Sequence, residues 1–588
     1  MKNLTAIVIT LAAATLSIPC QSAEKPGEQQ ALKRQVDALL APLQKPGHPG
    51  YAIAVIQDGG IVYEKGIGLA DLQHDVPIKP TTPFHIASVS KQFTAFAIHL
   101  LAQDGKLSLD DDIHKYIPEL ADFGAPITLR QLEHHTSGLR DQWELLMLAG
   151  WRLDDVITEN DILGLLKRQR ALNSPPGTAH LYSNTGYTLL GIVVKRVSGQ
   201  SLPEFAKARI FDPLNMKHTR FVDDYQALIK GRAASYGPNG HNGYDYIALS
   251  YSNVGATSLS TTVEDLALWD RNFYDGKVGG KKLLEEMQTV GVLSNGKPLT
   301  YASGLVIGKY RGLKTVEHSG GDAGYRSELM RFPEQHLSVI TLSNFADSDA
   351  GGLSRKIADI YLGKQMDAVP AAAPAKDTHF LPNVETNIDP AKLDAFIGYW
   401  KFSPTFTNTI YKEGGKLMVK PTGQPPYPLF VSGERSLFLK VVDGRFAFDA
   451  PDQDGVIQGG SYWQAGQTHH FTRSAPPTPL SEVELANYEG EFYSDELHVL
   501  YTVSRRDGKL ILTYPRGELT LEQDSPNAFI ASGSGNRIAY QCSAGDCNTF
   551  TVDTGRIRNL QFTRVSIVPT KPGEKTAAFI TPGASKNQ

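Results

Sequence analysis

Cysteine is nearly absent from this chain: Cys20, Cys542 and Cys547 are the only three in 588 residues. The neighbourhood of Cys542 and Cys547 offers too few further ligands for a cysteine-based metal site. No basic tract stands out, and the net charge is only −4, so nucleic-acid binding through a charged face is not indicated. No Gly-x-Ser-x-Gly elbow occurs, which counts against an α/β-hydrolase. The lack of a His-Glu-x-x-His pair makes a zincin-type metal site unexpected. The one long apolar run, Leu4 to Ile18, is too short for a confident membrane span.

What the N-terminus does contain reads as a secretory signal over residues 1–23. Lys2 supplies the positive start, the apolar run follows, and Ser22-Ala23 are the small residues for cleavage. An exported protein, periplasmic or secreted, is therefore expected. Cys20 leaves a lipoprotein option open, which Pro19 directly before it disfavours. In an exported chain, Cys542 and Cys547 read as a local disulfide between two strand-like runs. At 41% hydrophobic residues, the chain can support several domains with substantial cores.

The richest stretch is Phe84-His-Ile-Ala-Ser88-Val-Ser-Lys91-Gln-Phe93. Residues i and i+3 share a helix face, so the Lys91 amine is within reach of the Ser88 hydroxyl. A serine is a weak nucleophile that needs such a partner. At a helix N-terminus it also sits among unpaired N–H groups that can hold an oxyanion. The bland reading, in which Ser88 is only an N-cap, stays open on this stretch alone. Ser22…Lys25 and Ser294…Lys297 match the same spacing. The first lies in the export segment and the second reads as a turn. Only Ser88 opens an apolar helix, with Phe93, Phe96, Ala97, Leu100 and Leu101 at helical spacing and Gly105 as a stop.

Two later motifs complete a set. Tyr182-Ser-Asn184 precedes Thr-Gly-Tyr-Thr-Leu-Leu-Gly, and His318-Ser-Gly320-Gly321 continues a strand-like run. Ser-x-x-Lys, Tyr-x-Asn and basic-x-Gly in this order resemble the serine β-lactamase and penicillin-binding-protein-like superfamily. The tyrosine version is shared by class C β-lactamases, family VIII esterases and D-stereospecific aminopeptidases. Leu132-Glu-His-His-Thr-Ser-Gly-Leu139 and Gly255 to Leu266 are also similar to this family. Tyr251-Ser-Asn253 is a decoy without the following helix, and reads as pocket wall or structure.

The resemblance covers residues 30–365. It implies an α+β catalytic domain, an antiparallel sheet flanked by helices with a helical subdomain. It implies an acyl-enzyme on Ser88, with Lys91 and Tyr182 sharing the proton work and Tyr182 drawn toward phenolate by a nearby ammonium. Asn184 would hold Lys91 and the substrate amide. His318, Gly320 and Gly321 would line the substrate site, with the backbone N–H groups of Ser88 and Gly321 as the oxyanion hole. Common family members carry lysine where His318 stands. A mostly neutral histidine moves the expected substrate from β-lactams toward small peptides, amides or esters, with Arg326 a candidate for the missing charge. A pairing of His318 with a backbone carbonyl is the alternative. Neither cofactor nor metal is called for. A small-molecule or peptide substrate and proximity to the cell wall are implied. A β-lactamase or D-Ala-D-Ala carboxypeptidase, and a non-catalytic binding protein, are the competing readings. Oligomeric state is not legible in one chain.

Residues 366–384 contain Val369-Pro-Ala-Ala-Ala-Pro-Ala and read as a linker. A repeat follows, with offsets of 92, 93 and 91 residues between Leu393 and Leu485, Lys416 and Lys509, and Arg473 and Arg564. It implies two small antiparallel β-barrel domains, 385–475 and 476–566, before a disordered tail, 567–588. One catalytic domain followed by two such barrels resembles the D-stereospecific aminopeptidases, in which the last barrel can send a loop to the active site.

Overall fold

A computed structural model describes residues 26–567 except 242, 369–379, 387, 404–405, 465–466 and 544–545, together with 579–580. The signal segment, Cys20, most of the linker and nearly all of the tail lie outside the described residues.

The catalytic domain is organised by a six-stranded antiparallel sheet drawn from both ends of its sequence. Its strands are β1 (Tyr51–Gln57), β2 (Gly60–Ile67), β3 (Val306–Tyr310), β4 (Leu313–Asp322), β5 (Tyr325–Phe332) and β6 (Leu337–Ser343), in the order β3-β4-β5-β6-β1-β2. The tight β1–β2 connection places Asp58 and Gly59 at positive φ, as the Asp-Gly-Gly sequence anticipates. β1 reads as an unbroken apolar run because both of its faces are covered. Ile53 and Val55 pack with α1 (Pro26–Leu40) and the C-terminal helix α6 (Ala350–Leu362), while Ala52, Ala54 and Ile56 face the helical interior. The period-two alternation of a strand thus divides one apolar run between two cores.

On the interior side stand α2 (Lys91–Gln103), α3 (Gln142–Leu148), α4 (Asn184–Ser198) and α5 (Val263–Asp275). α2 is buried on every side from Lys91 to Leu101, which explains why its sequence is apolar nearly all round. α5 is tied to β5 by a buried pair, Arg331 to Asp270 at 3.2 Å.

Two eight-stranded antiparallel barrels follow, the first from Gly398–Ser403 to Gln467–Ser474, the second from Gly490–Ser494 to Leu560–Ile567. Their landmark residues do the same work twice. Arg473 lies 4.3 Å over the Trp400 ring and donates to Ile397 and Ala395 carbonyls; Arg564 lies 4.9 Å over Phe492 and donates to Glu489 and Asn487 carbonyls. Cys542 and Cys547 are disulfide-bonded across one hairpin of the second barrel.

The barrels differ in attachment. The first has its own core around Trp400, Phe446 and Phe471. The second shares one continuous apolar cluster with the catalytic domain. Its Tyr501 hydroxyl donates to the Leu148 carbonyl at the end of α3, 2.8 Å away. Arg140, wholly buried, pairs with Glu496 and donates to the carbonyls of Arg558 at 3.0 Å and Asn559 at 3.1 Å.

Candidate active site

Ser88 lies in a 3₁₀ turn, Ala87–Ser90, and α2 begins at Lys91. The expectation that Ser88 itself opens the α-helix is corrected by one turn. The physical consequence favours the pairing, since side chains at i and i+3 of a 3₁₀ turn eclipse. The chain enters the turn through Ala87 at φ +47°, a conformation rare for a residue with a Cβ.

The Lys91 ammonium has three neighbours: Ser88 Oγ at 3.1 Å, Asn184 Oδ1 at 2.9 Å and the Ala256 carbonyl at 2.7 Å. Asn184 is oriented by Asp141, whose Oδ2 accepts from both its backbone N–H and its Nδ2 at 2.8 Å. That fixes the amide oxygen toward Lys91. Asp141 is fully buried and also caps α3 through the Trp143 N–H at 3.0 Å. Burial pulls the Lys91 ammonium down to about 7, with Asp141 opposing and Arg556 assisting. The Tyr182 and Tyr187 rings lie 5.0 and 5.6 Å from Nζ.

Tyr182 enters from the residue pair before α4 and lines the same pocket as Ser88. Burial pushes this phenol well above its ordinary value, so the expected drift toward phenolate is corrected: desolvation outweighs the neighbouring positive charges. The ring packs against His135, whose ring centroid is 4.1 Å away at an interplanar angle of 35°. His135 stands at φ +57°, and its Nδ1 accepts from the Ser183 N–H at 3.1 Å. The burial of His135 keeps it neutral.

His318, 4% exposed, has both ring nitrogens engaged. Nδ1 lies 2.6 Å from the Ser319 carbonyl and Nε2 lies 2.8 Å from the Tyr301 hydroxyl. A carbonyl only accepts, so the proton sits on Nδ1 and Nε2 accepts from Tyr301. Burial and Lys91 depress this imidazole to about 4. Of the two readings of His318, pairing with a backbone carbonyl is the one the geometry displays, although the ring also forms part of the pocket wall.

β3 pairs with β4 only as far as Glu317, leaving the edge of residues 318–322 to face Ser88. Gly320 is required there. A Cβ at that position would lie 2.4 Å from Ser327 Oγ, 2.5 Å from the Ile86 carbonyl and 3.0 Å from Ser88 N. A Cβ at Gly321 would meet nothing closer than 3.6 Å, and this residue opens onto the pocket. The pocket, of about 500 Å³, gathers Ser88, Tyr182, Asn184, His318 and Gly321. Its far wall is Trp143 stacked 4.6 Å from Tyr251, so the second Tyr-Ser-Asn is wall, as its sequence context suggests.

Three site residues escaped the sequence reading. Asp141 follows Thr136-Ser-Gly138 with no motif of its own. Asp322 lies partly open in the pocket, where hydrogen bonds from His85 and Thr257 hold its carboxyl below the ordinary range despite burial. Arg556 comes from the second barrel. Its guanidinium lies 4.9 Å over the Tyr182 ring and 3.7 Å from Asp141, and its backbone N–H donates to Glu144 at 2.7 Å. The candidate for a positive charge named from sequence, Arg326, is instead bound to the carbonyls of Ala323 and Tyr325 at 3.1 and 2.7 Å.

A serine eclipsed by a buried lysine, beside a tyrosine and the free edge of an antiparallel strand, defines a serine hydrolase of the β-lactamase and transpeptidase fold. The Beta-lactamase family matches residues 34–362, and the chain belongs to it. Penicillin-binding protein 4* of Bacillus subtilis (strain 168) is 26% identical over 75% of this chain and all of its own length. A D-aminopeptidase of Gluconobacter oxydans (strain 621H) is 28% identical over 53% of this chain, which spans 58% of that relative. Among solved structures, the octameric penicillin-binding protein homologue from Pyrococcus abyssi matches in fold with a TM-score of 0.52 at 22% identity, covering 84% of this chain and 99% of its own.

Proposed function

We propose that this protein is an exported serine hydrolase that forms an acyl-enzyme on Ser88 and cleaves small amides or peptides bearing an N-terminal D-residue. The carrying observation is the three-way contact of Lys91 Nζ. Two of its partners, Asn184 Oδ1 and the Ala256 carbonyl, only accept. The neutral amine therefore spends both N–H groups on them, and its lone pair points at Ser88. An amine poised near neutrality is suited to act as base.

In this reading Lys91 takes the Ser88 proton as Oγ bonds to the substrate carbonyl carbon. The oxyanion rests against the backbone N–H groups of Ser88 and Gly321. Tyr182, a neutral phenol, passes a proton to the departing amine and recovers one from Lys91. Water then hydrolyses the ester by the reverse relay, releasing the acid and regenerating Ser88. Asp322 offers a carboxylate to a substrate ammonium, and Arg556 a cation to a substrate carboxylate. The match to a D-aminopeptidase supports the substrate class, and the N-terminal segment with the Cys542–Cys547 disulfide supports export.

The test is hydrolysis of matched p-nitroanilides and esters of D-Ala and L-Ala, alongside nitrocefin, with Ser88→Ala as control. The expected result is turnover of the D-anilide, lost in the variant, and labelling of Ser88 by a fluorophosphonate. Turnover of nitrocefin or esters alone removes the aminopeptidase reading. Absence of labelling removes the acyl-enzyme.

A further inference from the structure

We propose that the first barrel is a ligand-binding module whose open end takes one small, uncharged, largely aromatic molecule carrying a single hydrogen-bond donor. The two barrels differ at the same end. Strand register aligns them residue by residue. Asn408 pairs with Trp400 as Tyr501 pairs with Phe492, Val419 with Tyr427 as Leu512 with Leu519, and Leu429 with Leu439 as Leu521 with Ala531. Asn408, Val419, Tyr427 and Leu439 line a cavity of about 420 Å³ in the first barrel, and their equivalents Tyr501, Leu512, Leu519 and Ala531 line one of about 300 Å³ in the second.

The second cavity has an occupant at its mouth. α3 of the catalytic domain contributes Glu144, Met147 and Leu148 to its lining, and Tyr501 donates its hydroxyl to the Leu148 carbonyl. Among the described residues, the first cavity is lined by its own barrel alone. Where the second has Tyr501 with its partner, the first has Asn408, 4% exposed, whose Oδ1 has no hydrogen-bond partner. An unpaired buried acceptor costs about 1–3 kcal/mol, and a ligand donor is what would satisfy it.

The remaining lining specifies the rest of the ligand. Tyr427, Phe446 and Tyr462 present aromatic surfaces; among the described lining residues there is no Asp, Glu, Lys or Arg, and His469 is the one histidine. A charged molecule would lose its hydration without compensation there. Eight strands enclose just enough room for one small ligand, and 420 Å³ lies within the range of small-molecule sites. The second barrel's end, by contrast, is lined by both Glu144 and Arg516.

N-phenyl-1-naphthylamine has this chemistry: uncharged, aromatic, with one N–H. Titrated into the full chain, it is expected to bind saturably with one molecule per chain and enhanced fluorescence. Val419→Trp, which fills the first cavity, should abolish binding, and Asn408→Leu should weaken it about fivefold. Ser534→Trp, at the exposed rim of the equivalent end of the second barrel, should leave it unchanged. An unaltered thermal transition and retained ester hydrolysis show that each variant folds. If Val419→Trp is itself unstable, Leu439→Phe fills the same space more mildly. Non-saturable binding, or binding that survives filling of the first cavity, overturns the proposal. So does capture only of a peptide with the sequence of residues 139–150, since that would make the end a helix-docking surface.

Discussion

At the scale of single residues, the site depends on one desolvated amine. Lys91 is held near 7 by burial, with Arg556 adding repulsion. In the proposed mechanism the base form predominates above that value, so kcat/KM is expected to rise with pH through an acidic limb near 7 and then level off. Arg556→Ala removes a positive neighbour, which makes the ammonium easier to keep. The limb should then move to higher pH, and a pH–rate profile on a p-nitroanilide or ester reads the shift directly. A limb unmoved by the substitution would detach Arg556 from the Lys91 field. His318, depressed to about 4 and locked as the Nδ1–H form, should contribute no ionisation across this range.

At the scale of elements, the site is a matter of how closely one strand edge approaches one turn. Gly320 sits where a side chain would press on Ile86 and Ser88. Gly320→Ala is therefore expected to push β4 away from the Ser88 turn. A displacement of about 1 Å can cost on the order of 100-fold in kcat/KM, and the loss should appear in kcat rather than in the thermal transition alone. Gly321→Ala, with open space before it, should be milder on packing. The helical layer is fixed to the sheet by Asp270 and Arg331, with side chains 1% and 2% exposed and 3.2 Å apart. Removing one partner leaves a buried charge, so Asp270→Ala should destabilise the protein by about 3–5 kcal/mol in chemical denaturation. An effect below 1 kcal/mol would mean that water reaches Arg331 readily.

At the scale of the whole molecule, the second barrel is not an appendage: its Arg556 lines the candidate site's pocket. Its apolar core is continuous with the catalytic core, and Arg140, one residue before Asp141, is buried among its groups. Glu496→Ala strands that guanidinium. The expected outcome is a loss of about 3–5 kcal/mol in stability with a fall in kcat/KM. Restoration by Glu496→Asp would separate charge loss from general damage. The three motifs, the two barrels and the second barrel's disulfide were legible because each is written locally. Spacing of three, period-two alternation and a near-constant repeat offset survive in one dimension. Ser88 and Lys91 could be paired for that reason, and the resemblance of the three motifs to a known superfamily joined Tyr182 and Asn184 to them. Asp141, Asp322 and Arg556 could not be named that way. An aspartate in a loop or an arginine in a hairpin carries no period, and only packing brings Arg556 across from another domain to Tyr182. The tertiary structure likewise decided the protonation questions. The same lysine, tyrosine and histidine titrate up or down according to how much water burial removes, and burial is a property of the folded chain that no local pattern records.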